Sequence, residues 1–247
     1  MKKLLKSITV LLILSMAIAI SACSAKAPEV LVMGTNAQFP PFEYYEGTDI
    51  TGIDADIMRE IAKELGMELR IDDMEFANLP AALASDKINV IAAGFTVRPD
   101  REETMDFSKT YYEARQTLIV LKDSGYTGIE DLTDKVIGGQ EATTGLLYCA
   151  SEYTAEENLK AYPNGMLAVE ALLNGSVDAV VIDDNPAKVY GDMHGDKIVL
   201  IENQFDPEDY AFAVKKGNAD LLKKINDALD KIKADGRFDE ICSKHLK

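Results

Sequence analysis

The sequence predicts an α/β fold built as two lobes. Three observations carry that prediction. Short β-like runs alternate with amphipathic helical stretches along most of the 247 residues, the pattern of strands joined by helices in mostly parallel sheets. Two segments echo one another, "ALASDKINVIAAG" (Ala82–Gly94) and "ALLNGSVDAVVID" (Ala171–Asp183). Each reads as helix, tight turn and buried strand, ending in a glycine or an acid. Finally, "INVIAAG" and "DAVVID" are nearly continuous apolar runs, as expected of strands buried on both faces.

The elements follow in order. Lys2, Lys3 and Lys6 precede the apolar run Ile8–Ile20, too short for a membrane span and suited to a secretory leader. "VLVMG" (Val30–Gly34) reads as a strand. In "DADIMREIAKELG", Ile57, Met58, Ile61, Ala62 and Leu65 recur with the helical period. Asp54 is expected to cap this helix and Gly66 to end it. "MELRI" is a strand, and "NLPAALAS" a helix with Asn78 as cap and Pro80 early. "INVIAAG" (Ile88–Gly94), "TLIVLK", "VIGGQ" (Val136–Gln140) and "DAVVID" (Asp178–Asp183) are further strands, with the capped helix "NGMLAVEALLNG" before the last. The closing helix "NADLLKKINDALDKIKADG" places Leu221, Leu222, Ile225, Leu229 and Ile232 on one face. In open α/β sheets a ligand lies beyond the carboxyl ends of the strands. Gly94 and Asp183 occupy such ends in the two halves, so the site is expected in the cleft between lobes.

Composition narrows the function. The net charge is −16, which disfavours nucleic-acid binding because phosphates would be repelled. His194 and His245 are the only histidines, and neither stands near a second metal ligand at useful spacing. No nucleotide-binding glycine loop or nucleophile elbow occurs, and no cofactor is implied. Cys149 and Cys242 can pair in an oxidising compartment, although no spacing motif supports the bond. Arg98 and Arg101 are conspicuous in so acidic a chain. Their partners are either the adjacent Asp100, Glu102 and Glu103 or a ligand carboxylate, and local sequence does not choose between the two arginines.

The segment Ile20-Ser21-Ala22-Cys23 resembles a bacterial lipobox, which implies a leader at 1–22, lipidation of Cys23 and a linker at 23–28. "GIDADIMREIAKEL" (Gly52–Leu65) resembles the signature of bacterial extracellular solute-binding proteins for polar amino acids, departing from it at Ala55. "NAQFPPFEY", "AAGFTVRPDREETMDFSKTYY", "GGQEATTG" and "AVVIDDNPA" look like that family's four ligand loops, in order. The resemblance implies the two-lobed type II periplasmic-binding-protein fold. Lobe 1 would hold 29–113 and 211–247, and lobe 2 would hold 114–210. The hinge strands would lie near Glu113–Thr117 and Tyr210–Phe212, allowing closure around a ligand.

By motif position, Arg101 becomes the carboxylate fork, which lysine cannot copy. Arg98 is left solvated or paired with Glu102 or Glu103. Thr96 adds a hydroxyl and Gly94 a carbonyl for the ligand amine, although Gly94 also suits an ordinary turn. Thr143 and Thr144 close on the carboxylate or merely cap a helix. Asp183 takes the ammonium, with Asp184 as its competitor. Phe39 and Phe76 wall the pocket or belong to the core. Asn36 and Gln140 face the ligand side chain and favour a polar one such as glutamine, while the acidic chain leaves arginine or lysine open.

The implied protein is a monomeric, lipid-anchored carrier outside the cytoplasm that delivers a free amino acid to an ABC permease without chemistry. Two alternatives stand beside it. A cyclohexadienyl dehydratase-like enzyme on this fold would need Glu141 as its acid. A sensing lobe would need a signalling partner.

Overall fold

The computed structural model describes residues 29–246; the leader, the lipobox Cys23 and the linker lie outside them. The chain begins in β1 (Val30–Thr35) and folds back through a small antiparallel sheet, β2 (Gln38–Phe39), β3 (Glu43–Glu46) and β4 (Asp49–Thr51). Then come α1 (Ile53–Leu65), β5 (Glu68–Asp73), α2 (Leu79–Ala84), β6 (Val90–Ile91), the single turn α3 (Pro99–Glu102) and β7 (Met105–Phe107). The second lobe comprises β8 (Tyr112–Leu121), β9 (Ile137–Gln140), β10 (Leu159–Tyr162), α4 (Gly165–Leu173), β11 (Ala179–Asp183), α5 (Asp184–His194), β12 (Ile198–Ile201) and β13 (Pro207–Tyr210). The chain then returns through β14 (Ala213–Lys215), α6 (Ala219–Ala234) and α7 (Arg237–His245).

The first sheet has the order β5-β1-β6-β14-β7, and the second β10-β9-β11-β8-β12. Both are mixed rather than mostly parallel. The helix-linked strands β1, β5 and β6 pair in parallel, as do β9, β10 and β11. The strands that carry the chain between lobes run against them. β14 enters the first sheet antiparallel to β6 and β7, and β8 lies antiparallel to β11 and β12. The first half of β8 also pairs with β13, with Tyr112 opposite Tyr210 and Arg115 opposite Pro207. The chain therefore passes between the sheets along an antiparallel ribbon.

The period read in α1 is its packing face: Ile53, Ile57, Met58, Ile61 and Ala62 are buried, each large side chain contributing roughly 1.5–3 kcal/mol. Ala55 is fully buried too. Gly66 ends the helix in the left-handed conformation, its N–H donating to the Ala62 and Lys63 carbonyls. The expected Asp54 cap is not formed. Gly52 occupies the cap position with φ +123, where a Cβ would lie 2.2 Å from the Phe42 carbonyl oxygen. Asp54 instead turns inward and is fully buried. Asn78 likewise makes no side-chain cap bond to α2, whereas Asn164 and Asn218 cap α4 and α6 through the N–H groups of Leu167 and Leu221.

"INVIAAG" is buried as expected, but only Val90–Ile91 join the ladder. Beyond them the chain leaves the sheet to build the cleft. On α6, Ile225, Leu229 and Ile232 are buried while Leu221 and Leu222 pack at the edge. Cys242 is a free thiol; the side chain of Cys149, its expected partner, lies outside what is described.

Candidate functional site

Between the lobes lies a narrow cavity. It gathers all ten residues singled out from the sequence, together with Glu43, Ala93 and Gln116.

The first lobe supplies an aromatic and cationic wall. Phe39 and Phe76 line it, and both are largely buried. The Arg101 guanidinium lies 3.9 Å from the Phe95 ring centroid and 5.5 Å from that of Phe76, in the geometry of cation–π attraction. Arg101 donates to the Thr96 carbonyl at 2.8 Å and to the Ala142 carbonyl at 3.1 Å. Its remaining donors, in a planar fork, suit a carboxylate. Burial and the neighbouring Arg98 push its pKa down to about 9, so it stays charged at neutral pH.

Arg98 behaves differently. It grips Asp100 through Nε at 3.0 Å and Nη2 at 2.8 Å. The partner is thus Asp100 rather than Glu102 or Glu103, because the turn of α3 brings the nearer acid under the fork. The Asp100 pKa falls to about 2 mainly through that contact. Nor is Arg98 solvated, since its side chain is only 11% exposed. It does not line the cavity.

Gly94 has φ +52, and a Cβ there would approach the Phe39 ring to 2.8 Å, so both backbone and space require glycine. Asp54 holds this turn from below. Its Oδ2 accepts the Gly94 N–H at 2.9 Å and its Oδ1 the Tyr111 hydroxyl at 2.6 Å. Burial raises its pKa to about 7 against the pull of those bonds. Thr96 is buried beside the turn.

The second lobe supplies polar groups. Gln140 reaches across the cleft, donating to Asn36 Oδ1 at 2.9 Å, while Asn36 donates to the Met74 carbonyl. The Thr143 hydroxyl is engaged by the Gln140 carbonyl at 2.7 Å, whereas Thr144 Oγ1 is buried and bonded to no described residue. Asp183 ends β11 inside the cavity and accepts from the Tyr210 hydroxyl. Burial, then the nearby Glu208 charge, raises its pKa well above the ordinary range. Asp184 faces away toward Asn185 and Lys188 and does not line the cavity. Glu141, the acid a dehydratase would require, is exposed and also stands outside it.

Glu43 and Gln116 are the residues that sequence reasoning missed. Glu43 is 1% exposed, and neither carboxylate oxygen meets a donor among the described residues. Burial, then Asp54 and Asp183, raises its pKa strongly. The one signal was an acid set within the aromatic run "FPPFEYY". Gln116 lies opposite Asp183 in the β8–β11 ladder, a pairing no local pattern reveals.

Two lobes meeting on a cavity with one buried guanidinium and facing carboxylates define a solute-binding fold of the clamshell kind. The chain belongs to the bacterial extracellular solute-binding proteins, family 3, whose model matches residues 31–247. It is 30% identical to the arginine-binding extracellular protein ArtP of Bacillus subtilis over 238 residues, covering 92% of each chain. It is 35% identical to the B. subtilis ABC transporter glutamine-binding protein GlnH over 206 residues, 81% of this chain and 74% of that one. Among solved structures, the arginine-, lysine-, histidine-binding protein ArtJ of Geobacillus stearothermophilus superposes with a TM-score of 0.84 at 32% identity, covering 88% of this chain and 95% of ArtJ.

Proposed function

We propose that the cavity binds a free α-amino acid with a cationic side chain, arginine before glutamine. The chain delivers that ligand, outside the cytoplasm, to an ABC importer. The observation that carries this reading is Glu43, a buried carboxylate with no donor, facing the same space as Phe39. A buried ionised carboxylate left alone is costly. A guanidinium on the aromatic wall offsets that cost, and a neutral amide does so less well. Arg101 takes the α-carboxylate; Asp183, the Gly94 carbonyl and Thr96 take the α-ammonium. Thr144 Oγ1 supplies a further bond from the second lobe. Asn36 and Gln140, bonded to each other, close the seam.

The magnitudes allow a tight complex. A micromolar dissociation constant requires about 8 kcal/mol. Charge-assisted hydrogen bonds contribute roughly 1.5–3 kcal/mol each, so four or so suffice once association costs are met. The ligand is bound and released unchanged, consistent with Glu141 lying outside the cavity. The relatives named for arginine and for glutamine binding support the class of ligand. Lipid anchoring at Cys23 and a monomeric state belong to the same proposal.

Thermal-shift screening of the mature protein against the twenty amino acids tests it. Arginine at about a hundredfold over its dissociation constant adds about 2.7 kcal/mol, a rise in Tm of roughly 5–10 °C for a chain of this size. Glu43→Gln is expected to weaken arginine roughly a hundredfold, in line with breaking a buried charge pair, and to spare glutamine. A larger shift from glutamine than from arginine in the unaltered protein would refute the cationic reading; silence from every amino acid would refute the class.

A further inference from the structure

The cavity holds one buried polar side chain to which no ligand group has yet been assigned. Gln116 lies in β8, opposite Asp183 in the β8–β11 ladder. Residues directly opposite in an antiparallel pair project from the same face of the sheet. Gln116 therefore stands beside the acid that takes the ligand ammonium. It is 2% exposed and lines the cavity.

The direction of its amide is set from behind. Gln116 Nε2 donates to Glu208 on β13. An amide nitrogen donates and an amide oxygen accepts, so with the nitrogen on Glu208 the carbonyl is the free end. Oε1 is buried and meets no donor among the described residues. Gly145 leaves it room: a Cβ there would come within 2.5 Å of this oxygen. A buried acceptor with no donor is costly to the empty protein, and a ligand that brings a donor recovers the loss.

The parts of the ligand compete unequally for that oxygen. A carboxylate has no proton to donate, and Arg101 is placed for it. The side chain is drawn to Glu43 on the other lobe. The ammonium is the donor that Asp183 draws to this spot, and it carries three N–H groups. We propose that Gln116 Oε1 accepts a hydrogen bond from the ligand α-ammonium, and that this contact restricts the site to primary amines. The proposal rests on the amino-acid reading above. Asp183, the Gly94 carbonyl, Thr96 and Gln116 then encircle three protons, and no direction around the nitrogen is left for carbon. Amino acids alkylated on that nitrogen, proline included, are excluded, because each must turn an alkyl group onto a buried acceptor.

Isothermal titration calorimetry with L-arginine, L-glutamine and their Nα-methyl derivatives tests the role. The unaltered protein is expected to bind each Nα-methyl form at least about a hundredfold more weakly than its parent. Gln116→Met keeps the bulk and removes the acceptor. Arginine and glutamine are expected to weaken by one common factor, roughly ten- to a hundredfold for a charge-assisted hydrogen bond, since both present the same ammonium. Gln116→Ala also opens space for the methyl group and is expected to bring parent and derivative within about tenfold of each other. Gly145→Ala keeps the glutamine, crowds its oxygen and is expected to narrow the same gap, even if Gln116→Met folds poorly. A purely structural role would weaken parent and derivative alike. An unchanged gap in Gln116→Ala, a loss in Gln116→Met confined to arginine, or tight binding of an Nα-methyl form by the unaltered protein overturns the role while leaving amino-acid binding intact. Absence of binding by any amino acid overturns the reading beneath it as well.

Discussion

The two faces of the cavity are made differently. On the first lobe the groups are braced before any ligand arrives: Arg101 is stacked against Phe95 and tied to the Thr96 carbonyl, and Gly94 is pinned by Asp54. On the second lobe, Thr144 Oγ1 and Gln116 Oε1 are buried with no partner among the described residues. Apart from Glu43, whose carboxylate also lacks a donor among the described residues, the first face is a finished platform; the second presents groups whose bonds are completed from outside the chain. A braced donor loses little freedom on binding, so the platform sets affinity. The second face then rewards closure.

Three substitutions probe that contrast. Arg101→Lys strikes the platform hardest, because an ammonium cannot reproduce the fork or its stacking. A loss of affinity of at least about a hundredfold is expected by calorimetry, in line with cutting a buried charge pair. Should Arg101→Lys bind within a few-fold of the unaltered protein, the platform is not where affinity resides. Gly94→Ala is expected next. Its Cβ must enter the Phe39 ring from a left-handed backbone, at a strain of roughly 1–3 kcal/mol, lowering Tm and weakening arginine about tenfold. Arg98→Ala comes last, since its fork is filled by Asp100. Affinity is expected to stay within about twofold, with Tm at most slightly lower, since the pair is half exposed on the Asp100 side.

Periodic features were readable from the sequence and relational ones were not. The face of α1 and its Gly66 stop follow from local spacing, and both appear in the structure. Asp54 shows the limit. An acid at a helix start carries the local mark of a cap, and only the approach of Gly94 and Tyr111 turns it inward. Strand direction is equally silent in sequence. β8 reads as an ordinary buried run, yet it lies antiparallel to β11, where mostly parallel sheets were expected. At the cavity, motif order drew together residues from four distant segments. Glu43 escaped because its one local mark, the aromatic run around it, does not say which way the acid points, and Gln116 because its role comes from the strand across the ladder.

The bond between Asn36 and Gln140 has one more consequence. Most contacts that would gather a charged ligand here are electrostatic, and such contacts answer to the salt and acidity around them. Two amides, one from each lobe, carry no charge and do not titrate. They give the clamshell an uncharged clasp between its lobes.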